Sequence, residues 1–179
     1  MKLKDVVQSG DWILVYPKPD QLLGKLIRKF TFGQVSHAAL VVDKDTLFET
    51  DGDMFTATFT STEKYAGRHV IVVAPLSLKD REHDIKVRCE AYKGAPYSYW
   101  DIATNMAFFW LAAPLRRKLI GMLGTKKFML CSELVARISY DVGKHESLRT
   151  YEGVSPEDLR RIALENPTEY DYLDFEDKQ

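Results

Sequence analysis

Two short segments far apart in the chain carry residues that could do chemistry together. Val35-Ser36-His37-Ala38-Ala39-Leu40 puts a histidine at the mouth of an apolar strand. Leu130-Cys131-Ser132-Glu133-Leu134-Val135 puts a cysteine at the start of an amphipathic helix. A cysteine is a strong nucleophile only as its thiolate, and its pKa falls at a helix N-terminus and beside an imidazolium. The two segments can supply both influences at one point, the arrangement expected of a cysteine hydrolase or acyltransferase. His37 would serve as general base, taking the thiol proton and returning it to a leaving group.

Cys131 shares a helical stripe with Leu134, Val135 and Ile138, so its side chain should face the core layer rather than open solvent. In the first turn it should also feel backbone N–H groups that have no intrahelical acceptor, and its own N–H is a natural oxyanion donor. The competing reading is a small buried residue with no chemistry. For the base, His69 is the rival of His37, since it too opens an apolar strand. His83 and His145 sit in polar surroundings and are expected to be exposed. A base of this kind needs an acceptor on its other ring nitrogen. If a hairpin turns around Lys44-Asp45, Glu49 returns beside the start of the preceding strand. Asp51 would project to the same face and is the alternative.

The elements that must position these residues follow from patterning. Trp12-Ile13-Leu14-Val15-Tyr16 is a continuous apolar run, read as a buried strand and ended by Pro17-Lys18-Pro19. Asp20 caps a helix whose apolar stripe is Leu22, Leu23, Leu26, Ile27 and Phe30, closed by Gly33. Ala38–Val42, Leu47–Thr50, Met54–Phe59 and His69–Val73 read as further strands, the first two a hairpin. From Leu78 the pattern turns helical. A helix ends near Gly94, a second helical region spans Tyr97–Leu123, and a third spans Cys131–Val142, closed by Gly143. Ser155-Pro156-Glu157-Asp158 is a strong helix start, with Ser155 as cap and Asp158 as the capping-box acid. The acidic stretch 171–179 is expected to be a frayed tail. The expected class is α+β, a small antiparallel sheet packed against helices in a single domain spanning residues 1–179.

Composition is ordinary for a globular chain of 179 residues, with 45% hydrophobic and 28% charged residues. A net charge of −1 gives no reason to expect nucleic acid as a partner. The first residues hold no apolar run long enough for a secretory signal, and the two cysteines suit a reducing compartment, so a cytoplasmic location is expected. Neither a metal nor an organic cofactor is called for. Met106–Leu115 is the longest apolar run, too short for the roughly 20 residues a membrane span needs. It reads as a buried helix or, with Arg116-Arg117-Lys118 following, as a peripheral membrane contact.

The order Gly10-Asp11-x-Ile13-Leu14, Ser36-His37-Ala38, Phe48-Glu49, Gly94-x-Pro96-Tyr97-x-Tyr99-x-Asp101, Cys131-Ser132-Glu133-Leu134-Val135 and Ser155-Pro156-x-Asp158-Leu159 resembles the permuted papain-like amidases, the YiiX-like branch of the NlpC-type superfamily. The resemblance implies a circularly permuted papain-like fold in which the histidine precedes the cysteine. It implies Cys131 as nucleophile, His37 as base and Glu49 as orienting acid, with Tyr97 and Ser36 beside the substrate. It implies hydrolysis of an amide or isopeptide bond in a peptide, peptidoglycan fragment or lipid amide. Lipid acyl transfer of the lecithin:retinol acyltransferase type is the alternative chemistry, and an inert papain-like binding module the alternative without chemistry. If Met106–Leu115 meets a bilayer, the protein should bind liposomes, and replacing Phe109 and Trp110 by serine should weaken binding in a flotation assay.

Overall fold

The computed structural model describes residues 2–17, 33–50, 56–96, 115, 130–149 and 153–176. Within them the protein is an α+β structure of one six-stranded antiparallel sheet and three helices. The strands are β1 (Trp12–Val15), β2 (His37–Asp43), β3 (Thr46–Thr50), β4 (Ala57–Ser61), β5 (His69–Pro75) and β6 (Tyr170–Glu176). The helices are α1 (Glu82–Tyr92), α2 (Cys131–Gly143) and α3 (Pro156–Glu165). The strand order is β4-β3-β2-β1-β5-β6.

β1 is apolar at every position, and β2 and β5 are so between their end residues, because the sheet is covered on both faces. Trp12, Leu14, Ala38, Leu40, Phe48, Ile71 and Val73 pack with Ile85, Leu134, Ile138 and Leu159 from the helices. The alternate residues Ile13, Val15, Ala39, Val41, Leu47, Val70 and Val72 pack with Leu3, Val7 and Tyr65. Trp12 also ties the two layers by a directed bond, its indole N–H donating 2.9 Å to Ser139 Oγ of α2. A buried indole needs such an acceptor, so the bond fixes where α2 lies along β1.

Helix α3 starts as its sequence dictates. Asp158 N–H donates to Ser155 Oγ and Ser155 N–H to Asp158 Oδ2, the reciprocal pair of a capping box. Helix α2 ends differently from expectation. Gly143 lies inside it, and Lys144 takes the left-handed position with φ 56°. Gly143 is there for space: a Cβ would collide with Ser77 Oγ and come within 2.9 Å of Leu78 Cδ2.

Residues 171–176 are not a frayed tail. They belong to β6, which pairs with β5 along its length from His69↔Glu176 to Pro75↔Tyr170. Tyr170 and Phe175 are buried by this pairing, and the acidic side chains Asp171, Asp174 and Glu176 lie on the exposed positions of an edge strand. Strand β4 spans Ala57–Ser61, and Met54 and Phe55 of the strand that patterning suggested lie outside the described residues. Residues 51–55, the expected Asp20–Phe30 helix, the Tyr97–Leu123 helical region apart from Leu115, which is helical, and the apolar run at 106–114 lie outside the described residues. No helix among the described residues is long and apolar enough to cross a membrane.

Alanine at the end of a helix ordinarily gains up to about 1 kcal/mol over glycine, whereas overpacking a filled site costs about 1–3 kcal/mol. Gly143→Ala should therefore lower the thermal unfolding midpoint, measured by circular dichroism, rather than raise it.

Candidate active site

Antiparallel register brings the histidine and its acid together. Leu40 pairs with Phe48, which carries Glu49 opposite Ala39. Two residues further along β2, His37 projects to the same face as Ala39 and is the diagonal neighbour of Glu49. Their side chains meet, with His37 Nε2 2.6 Å from Glu49 Oε2. An ionised carboxylate only accepts, so Nε2 carries the proton and donates it. Nδ1 is left as the nitrogen available to a thiol.

Glu49 has no exposed surface. A carboxylate in that position stays charged only if donors replace its water. Besides His37, Thr60 Oγ1 donates to Oε1 at 2.6 Å, Lys64 Nζ to Oε1 at 2.8 Å, and Tyr65 OH to Oε2 at 2.5 Å. Burial pushes the carboxyl pKa up, but the bond and charge of His37 and the charge of Lys64 outweigh it and hold the group well below the usual carboxylate range.

Cys131 is the first residue of α2 and 5% exposed. Its sulfur is within hydrogen-bonding reach of the His37 side chain. Both residues open their elements, so they meet at the sheet's end. Burial alone would lower the His37 pKa. Interaction with Cys131, and after it the hydrogen bond and charge of Glu49, reverse this and raise it to about 10.

The other cysteine and histidines are built into different surroundings. Cys89 is fully buried on α1, and burial pushes its thiol up to about 12. His69, the rival base, is stacked on Tyr16 with ring centroids 3.9 Å apart and bonded to Asp174 Oδ1 at 2.6 Å. His83 is exposed on α1, as expected. His145 is not: it is 7% exposed, with Nε2 bonded to Ser77 Oγ and Nδ1 3.1 Å from Glu169 Oε2. The polar loop after α2 folds back over β6, and the ring stacks on Tyr170. Ser36 is buried, and its N–H continues the ladder to Val15 O at 2.9 Å. Tyr97 and Asp51 lie outside the described residues.

Sequence reasoning missed Thr60, Lys64 and Tyr65. Thr60 was within reach of it: Glu49 pairs with Thr58, and Thr60 is the next residue on that face. Lys64 and Tyr65 lie in a short 3-10 turn, Thr62–Tyr65, which has no periodic signal. No group of acidic, histidine and cysteine side chains among the described residues could hold a metal ion. Neither a protein-family model nor a curated protein matches this chain.

The signs of the two shifts define a pH dependence. A raised imidazolium pKa stabilises the fold fully below the ordinary 6.5, and that contribution is lost as pH rises through about 10. A depressed carboxyl pKa contributes above the ordinary 4.5 and is lost as pH falls through the depressed value. Thermal unfolding against pH should show native protein losing more stability between about pH 6.5 and 10 than His37→Asn does, the difference vanishing if His37 is neutral in the fold.

Proposed function

We propose that the protein is a cysteine hydrolase acting on an amide or isopeptide bond, with Cys131 as nucleophile, His37 as general acid and base, and Glu49 as orienting acid. The observation that supports this most is the contact between Cys131, at a helix start, and a histidine whose far nitrogen is held by a buried carboxylate.

The reaction follows from the placement. The Cys131 thiolate adds to the substrate carbonyl, forming the S–C bond, and negative charge collects on the carbonyl oxygen. Backbone N–H groups of the first turn of α2 are suited to receive that charge. His37 then gives its Nδ1 proton to the departing nitrogen as the C–N bond breaks, leaving an acyl-enzyme. Water attacks the acyl carbon while Nδ1 takes its proton, and the S–C bond breaks to release the acid. Throughout, Glu49 keeps the Nε2 proton in place and so fixes the tautomer. This reading includes a permuted papain-like fold. The order of histidine before cysteine along the chain, and a sheet that places the histidine on one strand and the acid on its neighbour, support it.

Iodoacetamide labelling followed by mass spectrometry tests the chemistry directly. An ordinary thiol titrates near about 8.5. Cys131 should label well below that pH, and His37→Ala should abolish the acid-side reactivity. Cys89 should stay unlabelled until the fold opens. Hydrolytic turnover, once a substrate is found, should fall by about 10²–10⁴-fold in His37→Ala. Labelling of Cys131 only at alkaline pH, unchanged by His37→Ala, would refute the proposal.

A further inference from the structure

Cys131 and His37 lie 94 positions apart, and the packing of α2 on the sheet brings them near each other. Hydrophobic packing is non-directional, whereas a productive nucleophile–base pair is sensitive to displacements of about 1 Å. Something with directed bonds must set the final spacing. The six residues Gly153–Asp158 carry such bonds on both sides.

On one side the segment holds the start of α2. Glu133, 5% exposed, accepts Leu130 N–H at Oε2 (2.9 Å) and Gly153 N–H at Oε1 (2.5 Å). Ser132 Oγ donates to Val154 O at 2.6 Å. The residues on either side of the Cys131 position are thus tied to Gly153 and Val154. On the other side the segment holds the approach to β2. Glu157, 2% exposed, accepts Gln34 N–H at Oε2 (2.7 Å), three residues before His37. Gly33 presses on the same side chain: a Cβ there would lie 2.5 Å from Glu157 Cγ and Oε2. The other oxygen, Oε1, is neutralised by Arg160 at 2.6 Å and Arg161 at 3.7 Å. The capping box of Ser155 and Asp158 stiffens the segment between the two attachments.

We infer that Glu157 and Glu133 are positioning residues, and that through Gly153–Asp158 they set the spacing between Cys131 and His37. The inference rests on the Cys131–His37 reading. It assigns a role to Glu157, which stands at the unspecified position of the Ser155-Pro156-x-Asp158-Leu159 pattern. Neither carboxylate touches the reacting atoms. Each acts through the backbone of an element that does.

The pH profile of Cys131 alkylation separates this role from a general contribution to stability. Glu157→Ala removes the tie, and Gly33→Ala displaces it from the opposite side. Both should lower Cys131 labelling at about pH 6 by about tenfold, toward the His37→Ala profile, while Cys89 stays unlabelled and unfolding stays cooperative. Glu157→Gln retains an oxygen for Gln34 N–H and should keep most of the native profile. Arg161→Ala removes the longer of the two contacts to Oε1, leaves the Arg160 contact at 2.6 Å in place, and should leave the profile unchanged. If Glu157→Ala unfolds the protein, Gly33→Ala and Glu157→Gln decide. A native-like acid-side inflection in both Glu157→Ala and Gly33→Ala, or in Gly33→Ala where Glu157→Ala does not fold, would overturn the inference while leaving the Cys–His pair intact. Absence of His37-dependent labelling in native protein would instead overturn the pair, and the inference with it.

Discussion

A carboxylate removed from water must find donors for its lone pairs or give up its charge, and Glu49 has found four. Three come from β4 and the turn that follows it, and the fourth is His37 on the neighbouring strand. This requirement orders much of the molecule. It demands that β2 and β3 keep one register, that the 62–65 turn close over the second face of the sheet, and that Lys64 bring its charge to the core's edge. Leaving any of these donors out would strand part of a buried charge, which costs far more than an exposed ion pair is worth. The outcome is a histidine ring whose tautomer and direction are both set.

The same logic recurs, at smaller scale, at the two helix starts nearest the site. A helix N-terminus presents N–H groups in need of acceptors. In α2 Glu133 satisfies its own N-cap and reaches across to Gly153, while in α3 Ser155 and Asp158 satisfy each other. Glu157 extends this polar frame to Gln34. The apolar core supplies the adhesion between sheet and helices. The buried carboxylates supply direction, which adhesion lacks.

His69 and His37 show why the sequence alone left two candidates for the base. Each opens a buried strand, and each has an acid within hydrogen-bonding distance. They differ in where the acid comes from. Glu49 lies in the adjacent hairpin strand, at a spacing the hairpin makes legible. Asp174 lies in β6, 105 positions away from His69, in a stretch whose charge hid its strand character. His145 misled in a similar way. Its polar neighbours suggest exposure, yet the loop after α2 folds onto Tyr170 and buries it.

Local rules were enough for the strand runs at Trp12, His37, Leu47 and His69, for the α3 capping box, for the helix beginning at Cys131, and for narrowing the acid beside His37 to Glu49 or Asp51. Each depends on residues close in sequence or on the period of a single element, and such patterns are written in the chain. The closeness of Cys131 to His37, the Lys64–Tyr65 closure over Glu49, the Glu133 and Glu157 ties and the recruitment of 170–176 as an edge strand were decided only by tertiary structure. All of them join elements far apart in the chain, or a turn to a distant face. Such contacts follow from where separate elements come to rest on one another, and neither composition nor periodicity encodes that placement.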